Sequence, residues 1–339
     1  MEYFWKKKDW LAYGLAVLVF TLHLSSVYQY TQITGDESFL YPYKVFKMCI
    51  SRVAVPFFFI LSSSIFFRDF KNGGGYIKKM QSRFRSLVIP YLSWNTIYLI
   101  FSIIATSFLS KYFIEREPMQ ISFSECLKAI FLFKQNGHFW FIFDLIVFFV
   151  LSPIFYMLLK NRALGVVSIL AIVIPLVCII PDTSVPSSVF YLMIGAYLGI
   201  HHFQWITSTS KKKTIIGIAG IIICVILLFF INDHVILRFP VLATYSICLL
   251  FAIDIFKDKI MCRKIPVFVK HSFWVYALHG IVGSILAKSI FLIFPKSVSF
   301  AYPNFVLSLV ISLIIIECTA LLCKRFLPRV YPLLSGGRD

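Results

Sequence analysis

His23 stands inside the first long apolar run, Trp10 to Tyr28. An ionisable group is costly there and marks a functional site by default. A neutral imidazole accepts a proton at physiological pH, which is the act a general base performs on a hydroxyl. The competing reading is a helix-packing histidine bonded to Ser25 or Ser26. Counting residues at about 1.5 Å of rise each places His23 roughly 8 Å below the outer end of its run. The same count puts Arg52, Asp144 and Lys288 at about that depth on three other runs. Arg52 and Asp144 are therefore expected either to pair as a structural ion pair, because a lone charge costs several kcal/mol, or to act directly. A second layer is expected nearer the inner face, where His279 lies about 10 Å into its run and Glu317 on the next can meet it, as a structural pair or as a relay. Below that, Ser82-Arg83-Phe84-Arg85 follows Lys78 and Lys79. Such a density of cations suits phosphate groups, although by composition alone it reads first as an ordinary membrane anchor.

The elements that must hold these side chains are membrane helices. Of 339 residues 59% are hydrophobic, 37 are Phe and only 14% are charged, against about 25% charged in soluble domains. Apolar runs near the span length of about 20 residues occur at 10–28, 46–67, 87–108, 139–159, 164–180, 188–201, 214–231, 239–256, 273–294 and 304–323. The run at 188–201 is the shortest. The fold class expected is all-α: a polytopic integral membrane protein of about ten transmembrane helices, forming one domain over 1–339.

A net charge of +18 invites a nucleic-acid reading. Its distribution excludes one. With an inner N-terminus, 23 Lys and Arg fall in inner segments, 8 in outer segments and 2 (Arg52, Lys288) within runs. That asymmetry puts both termini in the cytoplasm and reports contact with anionic lipid; no nucleic-acid motif accompanies it. Lys6 to Lys8 before an apolar run resembles a signal peptide, yet the run is long and no small-residue cleavage site follows, so it is expected to stay as a helix. Eight cysteines show neither CxxC nor metal spacing, so neither a disulfide framework nor a metal site is expected.

No internal repeat is present. Gly73-Gly74-Gly75 reads as a connector. In the loop 109–138, Phe123, Leu127, Ile130 and Phe131 recur at helical spacing, which predicts an interfacial helix on the outer face.

Ser51-Arg52-Val53-Ala54-Val55-Pro56-Phe57-Phe58-Phe59-Ile60-Leu61-Ser62 resembles the second-helix signature of the integral-membrane acyltransferase-3 family. Gly137-His138-Phe139-Trp140-Phe141-Ile142, with Leu145 and Ser152-Pro153, is similar to that family's His-x-Trp-Phe helix. Ser272-Phe273-Trp274-Val275-Tyr276-Ala277-Leu278-His279-Gly280 resembles its Ser-Phe-x-x-Tyr-x-x-His segment. Tyr191 to Gly199 is similar to its Gly-containing sixth helix. The matches run in order from His23 to His279.

The resemblance implies transfer of an acyl group, commonly acetyl, from cytoplasmic acyl-CoA to a hydroxyl of an extracytoplasmic glycan or lipid-linked sugar. It makes His23 the general base or acyl-handling group, and Arg83 and Arg85 the partners of acyl-CoA. Arg52, His138 and Trp140 then line the acceptor side. Acyl-CoA is a co-substrate, and no permanently bound cofactor is implied. The partners implied are acyl-CoA, a surface glycan or lipid-linked sugar, and membrane lipid, in the bacterial cytoplasmic membrane. Ala12 stands where the family commonly carries a basic residue eleven positions before the histidine, and Lys8 is one turn earlier. Ser63 stands where a Gly often follows. The chain ends about sixteen residues past the last run, so a stand-alone enzyme is expected. The alternative function is a transporter or flippase of a lipid-linked saccharide, with the intramembrane charges lining its path; the missing repeat counts mildly against it.

Overall fold

The computed structural model describes all residues except 25, 36, 71–74, 110–121, 174–183, 232–233 and 338–339. Among the described residues the regular elements are all helical. Among the described residues seven helical runs are long and apolar enough to cross a membrane, or eight if the helix pair Gly137–Val150 and Ser152–Leu159, bent by 67°, is one span. The protein is a multi-pass membrane protein. Ten runs had been expected; the difference lies at 164–180 and 188–201. The first gives the ten-residue helix Arg162–Ala171 before the undescribed stretch, and the second gives Ser184–His201, both short of the roughly 20 residues of a full crossing.

The chain divides into two compact units, Met1–Gly75 with Ser152–Leu322, and Tyr76–Leu151 with Cys323–Asp339. In the first unit, Glu2–His23 packs along Ser272–Ile293. Gly283 permits this, since a Cβ there would meet the Phe20 ring, with Cζ at 2.9 Å. The tightest packing joins Ala54–Phe67 to Ser184–His201. Gly195 and Gly199, four apart on one helix face, let the backbones close: a Cβ on Gly195 would overlap Ser63 Oγ and the Ile60 carbonyl, and one on Gly199 would lie 2.5 Å from the Ser64 carbonyl oxygen. Hydrocarbon offers no hydrophobic force between helices, so small residues that allow close approach provide the attraction instead. Ser63 fits this seam because its hydroxyl is turned back to the Phe59 carbonyl at 2.9 Å.

The second unit is built on Tyr76–Arg83, a π-helical turn at Phe84–Val88, and Ile89–Ile104. Pro90 has no N–H to give to the Ser86 carbonyl, which explains a widened turn just before it. The C-terminal segment covers that carbonyl at Gly336, and Trp94 Nε1 donates to the Leu334 carbonyl at 3.0 Å.

The helix expected on the outer face exists, as Phe123–Phe131 capped by Ser122. It sits deeper than expected. Asn95 Nδ2 donates to the Ile130 carbonyl at 2.9 Å and the Tyr91 hydroxyl to the Phe131 carbonyl at 2.8 Å. Both residues lie near the middle of the apolar run Tyr76–Ser107. The loop 122–139 thus dips inward and turns at Phe133, whose φ of +47° is a strained backbone for an aromatic residue. Phe139 then packs between Tyr91 and Tyr98, with ring centroids at 6.1 and 6.3 Å.

Candidate functional site

His23 is the last residue of its helix. Leu24 turns extended (φ −75°, ψ 114°), and the chain resumes as Ser26–Thr34, so the whole apolar run is Glu2–Ile33. The break exposes the His23 imidazole, and the Tyr43 hydroxyl donates to the Leu24 carbonyl. His23 is therefore ten residues short of the run's end, deeper than the roughly 8 Å expected, because its helix breaks there without ending the span. Carbonyls at the end of a helix favour positive charge, so the site tolerates an imidazolium once a proton is taken.

His279 is the neighbour that this depth allows. The two rings lie with centroids 5.3 Å apart and planes inclined at 40°, and nitrogens of the two come within 4.8 Å. The sequence reading had put these histidines in different layers. His279 is 1% exposed, and its Nδ1 is 2.5 Å from the Tyr276 carbonyl oxygen. A carbonyl oxygen only accepts, so the neutral ring carries its proton on Nδ1 and its lone pair on Nε2. Phe20 and Tyr276 flank the same ring at 5.8 Å each. One histidine is thus exposed at a helix break, backed by another locked in orientation.

Glu317 does not take His279 as its hydrogen-bond partner. Its carboxylate accepts from His271 Nδ1 at 2.6 Å, and the Tyr13 hydroxyl bonds it as well. The reason is register: His271 precedes His279 by eight residues, about 12 Å of helix, and Glu317 packs at the lower level. There Trp274 Nε1 also donates to Thr319 Oγ1 at 3.0 Å. Glu317 and His271 clamp two helices together.

Arg52 lies on the short turn Ser51–Val53, exposed. Thr21 Oγ1 and Ser51 Oγ share a hydrogen bond of 2.9 Å, tying the turn that carries Arg52 to the helix two residues before His23. The ion pair expected with Asp144 would join different units. Within its own unit, Arg52 has Arg238 and Lys47 as charged neighbours, both cations. Lys288 is exposed on its helix.

In the second unit, Arg83 ends the helix Tyr76–Arg83 with its guanidinium 5.2 Å from the centre of the Phe149 ring. Arg85 follows on the π-helical turn, exposed. Arg83, Phe84, Leu87, Ile146 and Phe149 line an apolar groove of about 320 Å³. A cation such as Arg83 at the edge of an apolar groove can hold a phosphate at the rim with a hydrocarbon arm inside. His138, Trp140 and Asp144 follow the inward loop, all half-buried. His138 opens the bent pair Gly137–Val150 and Ser152–Leu159, as the sequence placed it, and its neighbour Phe139 packs on Tyr91 and Tyr98.

Sequence reasoning missed one buried pair. Lys7 Nζ bonds Asp254 Oδ1 at 2.8 Å and the Leu250 carbonyl at 3.0 Å, with side chains 0% and 2% exposed. Tyr3 donates to the same carboxylate oxygen at 2.6 Å. The signal was Asp254, an acid ending an apolar run. Lys7 had been absorbed into a basic anchor. Lys8, the residue that seemed placed to replace the absent cation at Ala12, pairs with Asp9 at 2.8 Å.

No curated protein and no solved structure matches the chain. A family model described as an acyltransferase domain matches residues 9–317, from the helix of His23 to Glu317 and including Arg83 and Arg85. Nearly the whole chain is covered, and the chain belongs to acyltransferase family 3, as a membrane acyltransferase.

Proposed function

We propose that this protein moves an acyl group, most simply acetyl, from cytoplasmic acyl-CoA to a hydroxyl of an extracytoplasmic polysaccharide or lipid-linked sugar. It does so in the bacterial cytoplasmic membrane, with about ten crossings and both termini inside. The observation that carries the reading is the pairing of exposed His23 with oriented His279, 5.3 Å apart. A sugar hydroxyl is a weak nucleophile until a base takes its proton. His23 takes that proton as the hydroxyl oxygen attacks the thioester carbonyl. The tetrahedral intermediate collapses, the C–S bond breaks, and the thiolate of CoA leaves with the proton returned from the imidazolium. His279 holds the His23 ring and shares its positive charge. Arg83 and Arg85 hold CoA phosphates at the inner mouth. Arg52, His138 and Trp140 act on the acceptor side, and Asp144 acts there or as a structural group.

The depth of His23 eases the main difficulty of such a reaction, which is that the donor is made inside and the acceptor displayed outside. A base at mid-run shortens the reach asked of the pantetheine arm. The test is mass spectrometry of surface polysaccharide and lipid-linked intermediates from cells carrying wild-type protein, His23→Ala or Arg83→Ala. Loss of one acyl modification in both variants is the expected result. Full acylation in His23→Ala removes the base from the scheme.

A further inference from the structure

The helix Phe123–Phe131 ends at depth. Leu132 N–H donates to the Lys128 carbonyl at 2.9 Å and Lys134 N–H to the same oxygen at 3.3 Å, a cap closed around Phe133 at positive φ. Beside it, Asn95 and Tyr91 hold the Ile130 and Phe131 carbonyls. Asn95 lies roughly 18 Å below the outer end of the run Tyr76–Ser107 by helical rise, against about 15 Å to the centre of the hydrocarbon. Backbone bonds thus fix Lys128 and Lys134 within about a helical turn of that level. Both side chains are 50% exposed, and both bond Glu125, Lys128 at 3.2 Å.

A charge facing hydrocarbon there costs about 2.5–3.5 kcal/mol, and irregular backbone at such depth is tolerated only inside protein or along a water-filled cavity. Pairing with Glu125 lowers the cost but leaves half of each lysine uncovered, and that half must meet water. Lipid is met on a different face: Phe123, Leu127 and Phe131, one helical turn apart, are exposed and apolar. Farther along, Gly137 is exposed, and a Cβ there would meet nothing within 4 Å. Phe139 packs between Tyr91 and Tyr98 just beyond it, so this open space lies at the same level. Two ammonium groups and a carboxylate offer donors and acceptors together, which sugar hydroxyls match. A hydrocarbon tail gains nothing from them, and an anion is repelled by Glu125.

We propose that the loop 122–139 walls a water-filled vestibule, open to the extracytoplasmic side and lined by Glu125, Lys128, Lys134 and Gly137, through which the hydrophilic sugar of the acceptor descends to His138 and Trp140. The occupant rests on the acyl-transfer reading above, and the vestibule supplies the acceptor's half of the path in that reading. The lysines and Glu125 exchange hydrogen bonds with the entering hydroxyls, and the bare Gly137 leaves room for a ring to pass.

The test is cysteine labelling of the full chain in right-side-out and inverted membrane vesicles. Gly137→Cys and Lys134→Cys are compared with Ile100→Cys, a lipid-facing reference that is 53% exposed and about 8 Å nearer the outer end than Asn95. The reagents are a sulfonated, membrane-impermeant maleimide and a maleimide joined to maltotriose. Mass spectrometry of each peptide reads each site separately, so the native cysteines stay in place. In right-side-out vesicles both reagents modify Gly137→Cys and Lys134→Cys about tenfold or more faster than Ile100→Cys, whose thiol in lipid does not ionise. A silent Gly137→Cys overturns the vestibule. So does an Ile100→Cys that labels as fast, because the whole helix then stands in water at that level. Labelling in inverted vesicles alone overturns the outward opening, and exclusion of the maltotriose reagent alone overturns the sugar as occupant. If Gly137→Cys fails to fold, Lys134→Cys against Ile100→Cys carries the same comparison. Acylation in His23→Ala cells separates the two readings. Lost acylation with a silent Gly137→Cys sinks the vestibule alone, and fast labelling with full acylation sinks acyl transfer and leaves the vestibule.

Discussion

His279 stands behind His23 with ring centroids 5.3 Å apart, buried where its neighbour is exposed, and pinned through Nδ1 to the Tyr276 carbonyl. A base works best when one face meets the substrate and the other is held. The first helix supplies the accessible ring by breaking at Leu24, and the Ser272–Ile293 helix supplies the fixed one.

With His23 as the proposed base and His279 as its support, removing the first costs more than removing the second. His23→Ala lowers the rate of acyl transfer by about 10² to 10⁴, with donor binding unchanged. His279→Phe, which keeps ring volume, lowers kcat less and shifts its pH profile. Steady-state kinetics with a defined acceptor across pH 5 to 9 checks both. Equal losses in the two variants would leave no distinction between base and support.

In the proposed scheme Arg83 and Arg85 act on the donor. Arg83→Ala and Arg85→Ala each raise the KM for acyl-CoA about tenfold, the value of one charge-assisted hydrogen bond, while kcat at saturation changes little. Arg83→Lys recovers charge but not the stacking of the guanidinium near Phe149. A fall in kcat with KM unchanged would move these residues away from donor binding.

Lys7 and Asp254 form a buried pair, so breaking either half leaves an uncompensated charge. Lys7→Met and Asp254→Asn each destabilise the protein by about 3–5 kcal/mol. Lys7→Met with Asp254→Leu recovers much of that loss, because two well-packed apolar residues replace the pair. Thermal unfolding in detergent reads the difference. A double variant as unstable as the singles together would show that the pair does more than satisfy itself.

Gly195 is required by contact and Gly14 is not. Gly195→Ala drives a methyl group into Ser63 and the Ile60 backbone, 2.7 Å from its Cα, and costs about 1–3 kcal/mol. At Gly14 an added Cβ meets nothing within 4 Å, and Gly14→Ala is neutral or stabilising, since Ala is the better helix former. Comparing the two melting temperatures tests the seam directly.

The amino-acid sequence determined the class of the molecule. Long apolar runs with few charges leave a helix as the only way to satisfy the backbone in lipid, and the ordered motifs around Arg52, His138 and His279 carry the family. It also marked His23, because a polar group in such a run is expensive wherever the fold puts it. What it did not determine was depth. Counting from the ends of apolar runs treats each as one straight helix, and that fails where the chain breaks at Leu24 or dips inward through 122–139. Those events depend on partners remote in sequence: the Tyr43 hydroxyl on the Leu24 carbonyl, and Tyr91 and Asn95 on the carbonyls of residues 130 and 131. Partner choice was likewise decided in three dimensions. Glu317 and His271 meet, as do Lys7 and Asp254, because helix register sets which side chains share a level. Register is a property of packed helices and not of any one of them.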